Sequence, residues 1–414
     1  MTNLNNDESI LNSLDLNFNY MRIALTCPAS LPATQFGGIL FLCVDIAKET
    51  TKSGNDVTIY TTDMDFANNP HTFNKDLPKE ELINNFKIKR SHVWFALRLF
   101  FVNPGIYFQM MKDSPDIIHA IGIRSFQSYI AAIVSKKKNI PLVISDQGGL
   151  TTHPDLKGSG ILGRILYKLQ TPMIKFIIKQ ATRIIVANDY EKNIFLEFSS
   201  LEKIAKVRNG VNLLTLKITA SDFREKNGID VPFALFLGRF SKIKGIDILL
   251  HAIKILRDKS ELDNFKFVIM GVDFGFQDEM MGMIKQFHIE DNIMVIKNPS
   301  REDVIAAYSE SEFLVLPSRW ELSPLTPLEG FAFKKPTIST NSHGIPSTIT
   351  HNENGILVEN EDYNELSKCI LELINNKEKC TKLGLSGYNL VQNECNSQLM
   401  VAKIMKIYKE IVNR

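Results

Sequence analysis

Cysteine is scarce and scattered in this chain of 414 residues: Cys27, Cys43, Cys369, Cys380 and Cys395, with no CxxC pair. An odd number at such spacings argues against a disulfide framework and against a cysteine-based zinc site, and it fits a reducing compartment. Long apolar runs are missing as well. No stretch reaches the ~18 uninterrupted apolar residues of a membrane span. The opening MTNLNNDESILNSLDLNFNY is polar and acidic, without the basic and apolar regions of a signal peptide. Residues 1–20 read as a loose extension. An excess of charge is also lacking, since 48 Lys and Arg against 46 Asp and Glu leave +2. That balance is too even for a nucleic-acid binder. The expected location is cytoplasmic, either free or peripheral on the cytoplasmic membrane face.

What is present is ordinary globular material, 44% apolar and 23% charged. The length exceeds what one hydrophobic core usually holds, so two domains are expected. From Met21 onward, short apolar runs alternate with helical patterns. MRIALTC, VTIYTT, IIHAIG, LVISD and RIIVAN predict strands, and GGILFLCVDIAKETTKSG predicts a largely buried helix ending at Gly54. A second series begins near residue 232, with strands at ALFLGRF, FKFVIMG, IMVIK, FLVLPS and PTIST. Helices are expected at GIDILLHAIKILRD and around 276–288, 301–310 and 326–334. Ser300 with Asp303 resembles a capping box. Such alternation predicts an α/β fold: two Rossmann-like, doubly wound parallel-sheet domains, 21–212 and 232–414, joined by a polar linker at 213–231. The last helix, roughly 397–413, could pack on either domain.

The sharpest motif is Glu321-Leu-Ser-Pro-Leu-Thr-Pro-Leu-Glu329, directly after the strand FLVLPS. Thr326-Pro327 suits a helix start, because proline in the first turn sacrifices no hydrogen bond. Glu321 then lies in the loop and Glu329 about one turn into the helix, with the free amides around Leu325–Leu328 between them. That arrangement offers two carboxylates for hydroxyl groups and a helix N-terminus for a phosphate. Two glutamates at this spacing, taken alone, favour a capping arrangement without a ligand.

A second loop decides between those readings. Gly238-Arg239-Phe-Ser-Lys242-Ile-Lys244-Gly245 also leaves a strand and opens a helix. Arginine offers a bidentate fork and lysine a point charge, a pairing suited to a diphosphate. A solvated basic loop is the alternative. Cations at a helix N-terminus oppose its dipole, however, so a bound anion makes better sense of them.

Together these residues resemble the retaining glycosyltransferases of family 4, which have the GT-B fold. The resemblance runs in register from about Met21 to about residue 390. It implies that Arg239 and Lys244 hold the donor diphosphate, that Glu321 lies near the donor sugar, and that Glu329 binds the ribose hydroxyls. Pro-Ser-Arg-Trp-Glu at 317–321, Val207-Arg-Asn-Gly-Val-Asn212 and Asn354-Gly-Ile-Leu-Val358 match further family motifs, with Arg208 in place of a proline. Gly37-Gly38, between the first strand and helix, matches a glycine pair that lets backbone amides approach the donor phosphates. Asp146-Gln147-Gly148-Gly149 has Gln147 where relatives often carry histidine. Glutamine cannot titrate, so Asp146 is the nearest candidate base and His153 the next. His119 reads as structural. Asn341-Ser-His343-Gly-Ile-Pro-Ser347 departs from the usual glycine-rich run, with Ser347 in place of Glu.

The candidate catalytic set is therefore Glu321, Arg239, Lys244, Asp146 and Gln147. The candidate donor-binding set is Gly37, Gly38, Arg239, Lys244, Ser323, Leu325, Thr326 and Glu329. Asp63-Met-Asp65 is formally a DxD metal motif, but it reads as a solvated turn, and no metal or cofactor is expected. The implied partners are a nucleotide-sugar donor and a glycan or lipid-linked acceptor. Residues 91–112 are aromatic with scattered cations, and Lys157, Arg164, Lys168, Lys175, Lys179 and Arg183 form a second cationic stretch. These segments suit an anionic membrane surface, or a core and an ordinary solvated face. The implied activity is transfer of a sugar, in glycan, glycolipid or cell-surface polysaccharide synthesis. A sugar-nucleotide epimerase on the same fold, or a non-catalytic subunit that binds nucleotide sugar, are the alternatives.

Overall fold

Two parallel sheets follow from the two series of apolar runs. The computed structural model describes residues 20–66, 71–146, 150, 160–216 and 222–413, with side chains from residue 170 onward in the helix that starts at Gly160. The first sheet contains β1 (Arg22–Thr26), β2 (Asp56–Thr62), β3 (Glu80–Ile83), β4 (Phe86–Ser91), β7 (Ile117–Ile121), β8 (Leu142–Ser145), β9 (Arg183–Val186) and β10 (Ile204–Lys206). A separate hairpin, β5 (Phe95–Leu97) and β6 (Phe100–Val102), stands beside it. The sheet order is β10-β9-β8-β7-β1-β2-β4-β3. All neighbours are parallel except β3, which pairs antiparallel with β4. The alternating FKIKRS of β4 buries Phe86, Ile88 and Arg90 and turns Lys87 and Lys89 to the other face, where they are half-buried beside Asp56 and Asp113.

The second sheet contains β11 (Phe233–Leu237), β12 (Lys266–Gly271), β13 (Ile293–Lys297), β14 (Leu314–Leu316), β15 (Thr337–Thr340) and β16 (Gly355–Val358). Its order is β13-β12-β11-β14-β15-β16, parallel throughout. Central strands such as β7 and β14 are buried along their whole length, as strands covered on both faces must be. In both sheets the strand order reverses beside the first strand, between β1 and β7 and between β11 and β14. Crevices at the carboxyl ends of such reversal points are where open α/β sheets bind ligands.

Ser300 and Asp303 form the expected capping box on the helix Arg301–Glu310. Phe223 and Ile229, in the stretch read as linker, are buried in the core of the second domain. The final helix Ser397–Val412 lays Met400, Ile404, Tyr408 and Ile411 on the core of the first domain. His119 fixes this return. Its Nδ1 lies 2.6 Å from the Tyr408 hydroxyl and its Nε2 2.7 Å from Ser145 Oγ. Complete burial drives the His119 pKa down to about 3, so the ring is neutral and structural.

Candidate active site

Strand order brings the two C-terminal-domain motifs together. β11 and β14 are neighbours, and the Gly238–Gly245 loop leaves β11 while the Pro317–Glu321 loop leaves β14. Gly245 closes the first loop at φ 67°, and a Cβ there would lie 1.9 Å from the Pro317 carbonyl oxygen, so only glycine fits. Arg319 then ties the loops to each other. Its guanidinium donates to both carboxylate oxygens of Asp247, at 2.7 and 2.8 Å, and to the Lys242 carbonyl at 2.5 Å. Held this way, Lys244 Nζ donates to Glu321 Oε1, which also accepts from Ser318 Oγ at 3.2 Å. Arg239 lies with its guanidinium carbon 4.9 Å from the centre of the Phe274 ring.

Two helix N-termini face each other across the domain boundary. The helix Gly38–Lys52 begins after Gly37 at φ 102°, and a Cβ on Gly38 would sit 3.2 Å from Leu325 Cδ1. Leu325 is the first residue of the helix Leu325–Ala332. Neither helix has an acidic residue in its first turn. Their dipoles therefore point at the cleft without an internal counter-charge.

Glu329 lies on the second of these helices and is 8% exposed. Both of its oxygens have partners. Arg301 Nη2 donates to Oε1 at 2.7 Å and the Tyr308 hydroxyl donates to Oε2 at 2.8 Å. Burial, and next the charge of Glu329, push the Tyr308 pKa well up, so this hydroxyl is a donor. Burial works against the charge of Arg301, but Glu329 more than offsets it and the Arg301 pKa rises.

A cavity of about 780 Å³ between the domains gathers nearly all the candidates. Gly37, Gly38, Arg239, Lys244, Glu321, Ser323, Leu325, Thr326 and Glu329 all line it. Asp146 does not. It is 2% exposed, and its Oδ2 accepts from the Leu150 amide at 2.7 Å. Gln147 and His153 lie outside the described residues. The DxD reading needs correction. Asp63 is buried rather than solvated, accepting from the Val93 amide at 3.1 Å and facing His92 Nδ1 at 2.5 Å. Among the described residues, no group of three or more His, Cys, Asp or Glu side chains could hold a metal ion.

Comparisons with known proteins agree with this geometry. The family model for glycosyl transferases group 1 matches residues 219–390, and that for glycosyltransferase family 4 matches residues 36–213. An uncharacterised glycosyltransferase of Methanocaldococcus jannaschii is 30% identical over 72% of this chain and 79% of that protein. The chain belongs to this glycosyltransferase family. An Escherichia coli protein named as a UDP-Gal:α-D-GlcNAc-diphosphoundecaprenol α-1,3-galactosyltransferase is 22% identical over 74% of this chain and 79% of its own length. An Anabaena protein solved in complex with UDP-glucose superimposes with a TM-score of 0.73, at 16% identity, over 94% of this chain and 100% of that one. The two facing domains are those of the GT-B fold.

Several side chains that shape the site of this glycosyltransferase escaped the sequence reading. Arg301 and Tyr308 touch Glu329 from positions 28 and 21 residues away, and nothing local marks them, while Arg319, inside the motif 317–321, carries no sign in the sequence of its tie to Asp247. The cleft loop is also sewn to the first domain. Asn188 Nδ2 donates to the Leu322 carbonyl at 2.7 Å and Asn209 Nδ2 to that of Ser323 at 3.3 Å. Arg208 donates to the Ser347 carbonyl at 2.8 Å, which joins two of the three departures from the family pattern. The exposed His343 packs edge-on against Tyr190, with ring centres 5.5 Å apart.

The aromatic stretch 91–112 divides by face. Phe101 is fully buried, but Trp94 is 76% and Phe108 70% exposed. Phe95, Leu97 and Leu99 are exposed too, and they also line the cleft. Of the second cationic stretch, Lys157, Arg164 and Lys168 lie outside the residues described with side chains. No helix among the described residues is long and apolar enough to cross a membrane.

Proposed function

We propose that the glycosyltransferase transfers a hexose from a nucleoside-diphosphate sugar to an acceptor hydroxyl, with retention of anomeric configuration. One observation carries the reading: Arg239, Lys244, two helix N-termini and Glu321 line a single interdomain cavity. The acceptor oxygen attacks the anomeric carbon on the face of the leaving group. The bond from that carbon to the diphosphate oxygen breaks, its electron pair goes to the diphosphate, and the acceptor proton follows to the same group. Arg239 and Lys244 stabilise the developing negative charge, and Glu321 stabilises positive charge at the sugar. These cations and dipoles do the work that a metal ion would otherwise do, so activity persists in EDTA.

The acceptor is a lipid-linked glycan presented at an anionic membrane surface. An apolar hairpin that lines the cleft and also faces outward suits an amphiphilic acceptor better than a free sugar. Cations lie in or against the same stretch: Arg98 is exposed in the hairpin turn, and Lys137 Nζ donates to the Tyr107 hydroxyl at 2.9 Å. The named lipid-diphosphate acceptor of the Escherichia coli relative points the same way. A thermal-shift screen of nucleotide sugars, followed by NMR of the product formed on a lipid-diphosphate sugar, tests the proposal. An α-configured donor must give an α-linked product. An inverted product, or donor epimerisation without acceptor, would contradict it.

A further inference from the structure

The carboxylate of Glu329 is held by two donors on two sides before any ligand is considered. Arg301 takes Oε1 and Tyr308 takes Oε2. An ionised carboxylate offers about four lone-pair sites, so each oxygen keeps one acceptor site in reserve. Two such sites on one fixed carboxylate match a vicinal diol. The pair of donors makes the match rigid, because rotation of the carboxylate would break both bonds.

Arg301 is itself positioned from the opposite domain. Its guanidinium carbon lies 4.6 Å from the centre of the Phe41 ring, on the helix Gly38–Lys52. Phe41 and Arg301 both line the cleft. Asp45, one turn beyond Phe41, accepts from Asn212 Nδ2 at 3.3 Å. The charge of Arg301 lies close enough to reach Asp45, whose pKa burial raises to about 7. Arg301 thus stands at the domain boundary with one contact on each side.

We infer that Arg301 is a positioning residue which, clamped between Phe41 and Glu329, aims Glu329 at both hydroxyls of the donor ribose and so sets the preference for ribonucleotides over 2′-deoxyribonucleotides. The inference rests on the nucleotide-sugar reading above, and it joins the interdomain contact to Phe41 and the recognition of the diol in one side chain. Tyr308 alone leaves Oε1 without a fixed donor. The residues that follow Arg301 on its own helix cannot replace it, since Glu302 and Asp303 are acidic.

Calorimetric titration with UDP and 2′-deoxy-UDP, and with GDP and 2′-deoxy-GDP, gives the ratio that tests this. For the pair that binds, Arg301→Ala should cut the ribo-to-deoxy preference by ~10-fold or more, the scale of a lost hydrogen bond to a charged group. Affinity for the 2′-deoxy ligand should change much less. Arg301→Lys should restore part of the preference, and Phe41→Ala should lower it in the same direction by a smaller factor. Equal weakening of the ribo and deoxy ligands in Arg301→Ala would mean that Arg301 touches the nucleotide elsewhere and would overturn the inference. Glu329→Gln separates the two levels. If it abolishes the preference while Arg301→Ala does not, the inference fails and the reading of the site stands. If neither Glu329→Gln nor Arg301→Ala moves the ratio, or no nucleoside diphosphate binds, the reading of the site fails and the inference with it.

Discussion

Lys244 and Glu321 are ion-paired, although 77 residues separate them in the chain. The contact joins the loop after β11 to the loop after β14 and sets a cation beside the carboxylate at the switch point of the second sheet. Lys244→Ala and Arg239→Ala should each lower kcat/KM by about 2–4 kcal/mol of transition-state stabilisation, like the loss of an oxyanion donor. Thermal stability should change little, since both side chains face the cavity. Because Lys244 touches Glu321, the double variant with Glu321→Gln should fall short of additivity. Steady-state kinetics and melting curves on wild type, the three single variants and the double variant check this. Wild-type kcat/KM in both single variants would remove the diphosphate assignment.

The two motif glutamates should fail differently. In the proposed role, Glu329 accepts from the ribose hydroxyls in ground and transition states alike, so Glu329→Gln should raise donor KM more than it lowers kcat. In the proposed role, Glu321 stabilises charge that develops only as the sugar departs, so Glu321→Gln should mainly lower kcat. Donor affinity measured apart from turnover distinguishes the cases, and the opposite pattern would invert the two roles.

The exposed hairpin predicts salt-sensitive membrane binding. The protein should cosediment with vesicles containing anionic lipid at low salt and be released at high salt, because screening shortens the reach of the cations. Replacing Trp94 and Phe108, both largely exposed, with serine should weaken binding without lowering the melting temperature. Equal indifference to anionic and neutral vesicles would leave these residues as an ordinary surface.

A buried carboxyl pair predicts a pH effect on stability. Burial first, and the charge of Asp146 second, raise the Glu191 pKa to about 8 from its usual 4.5. Between those values the folded protein holds a proton that the unfolded chain has released. Stability from this group is therefore full below pH 4.5 and is lost as pH climbs towards 8. Asp45 acts in the same direction up to about 7. His119 acts oppositely, but only between about 3 and 6.5. Glu191→Gln should thus lose less melting temperature than wild type between pH 6.5 and 8. Parallel curves would show that Glu191 does not titrate in that window.

Local patterns explain what the sequence revealed. Apolar periodicity marks the strands, and glycine and proline mark the loops that leave them, so residue order alone places Gly37, Lys244, Glu321 and Glu329 beside helix starts. What stayed hidden depends on contacts between distant residues. Arg301 reads as the start of an ordinary capped helix, yet it reaches Glu329 and Phe41. Asp146 reads as a loop carboxylate at a strand end, yet its side chain turns inward towards the Leu150 amide. The run 91–112 fits a membrane surface, a core or a solvated face by composition, and only the hairpin outside the main sheet divides it, burying Phe101 and exposing Phe95 and Leu97. The antiparallel edge β3 has the weak sequence EELI, with Glu80 and Leu82 exposed.

The central claim is that Arg239 and Lys244 hold a nucleoside diphosphate in the interdomain cleft. Isothermal titration of the wild-type protein, Arg239→Ala and Lys244→Ala with UDP, GDP and ADP, each beside its monophosphate, tests this most directly. The account predicts that at least one diphosphate binds more tightly than its monophosphate, and that either substitution erases most of the difference. Binding that is absent for every diphosphate, or a preference for diphosphate that survives both substitutions, would contradict it.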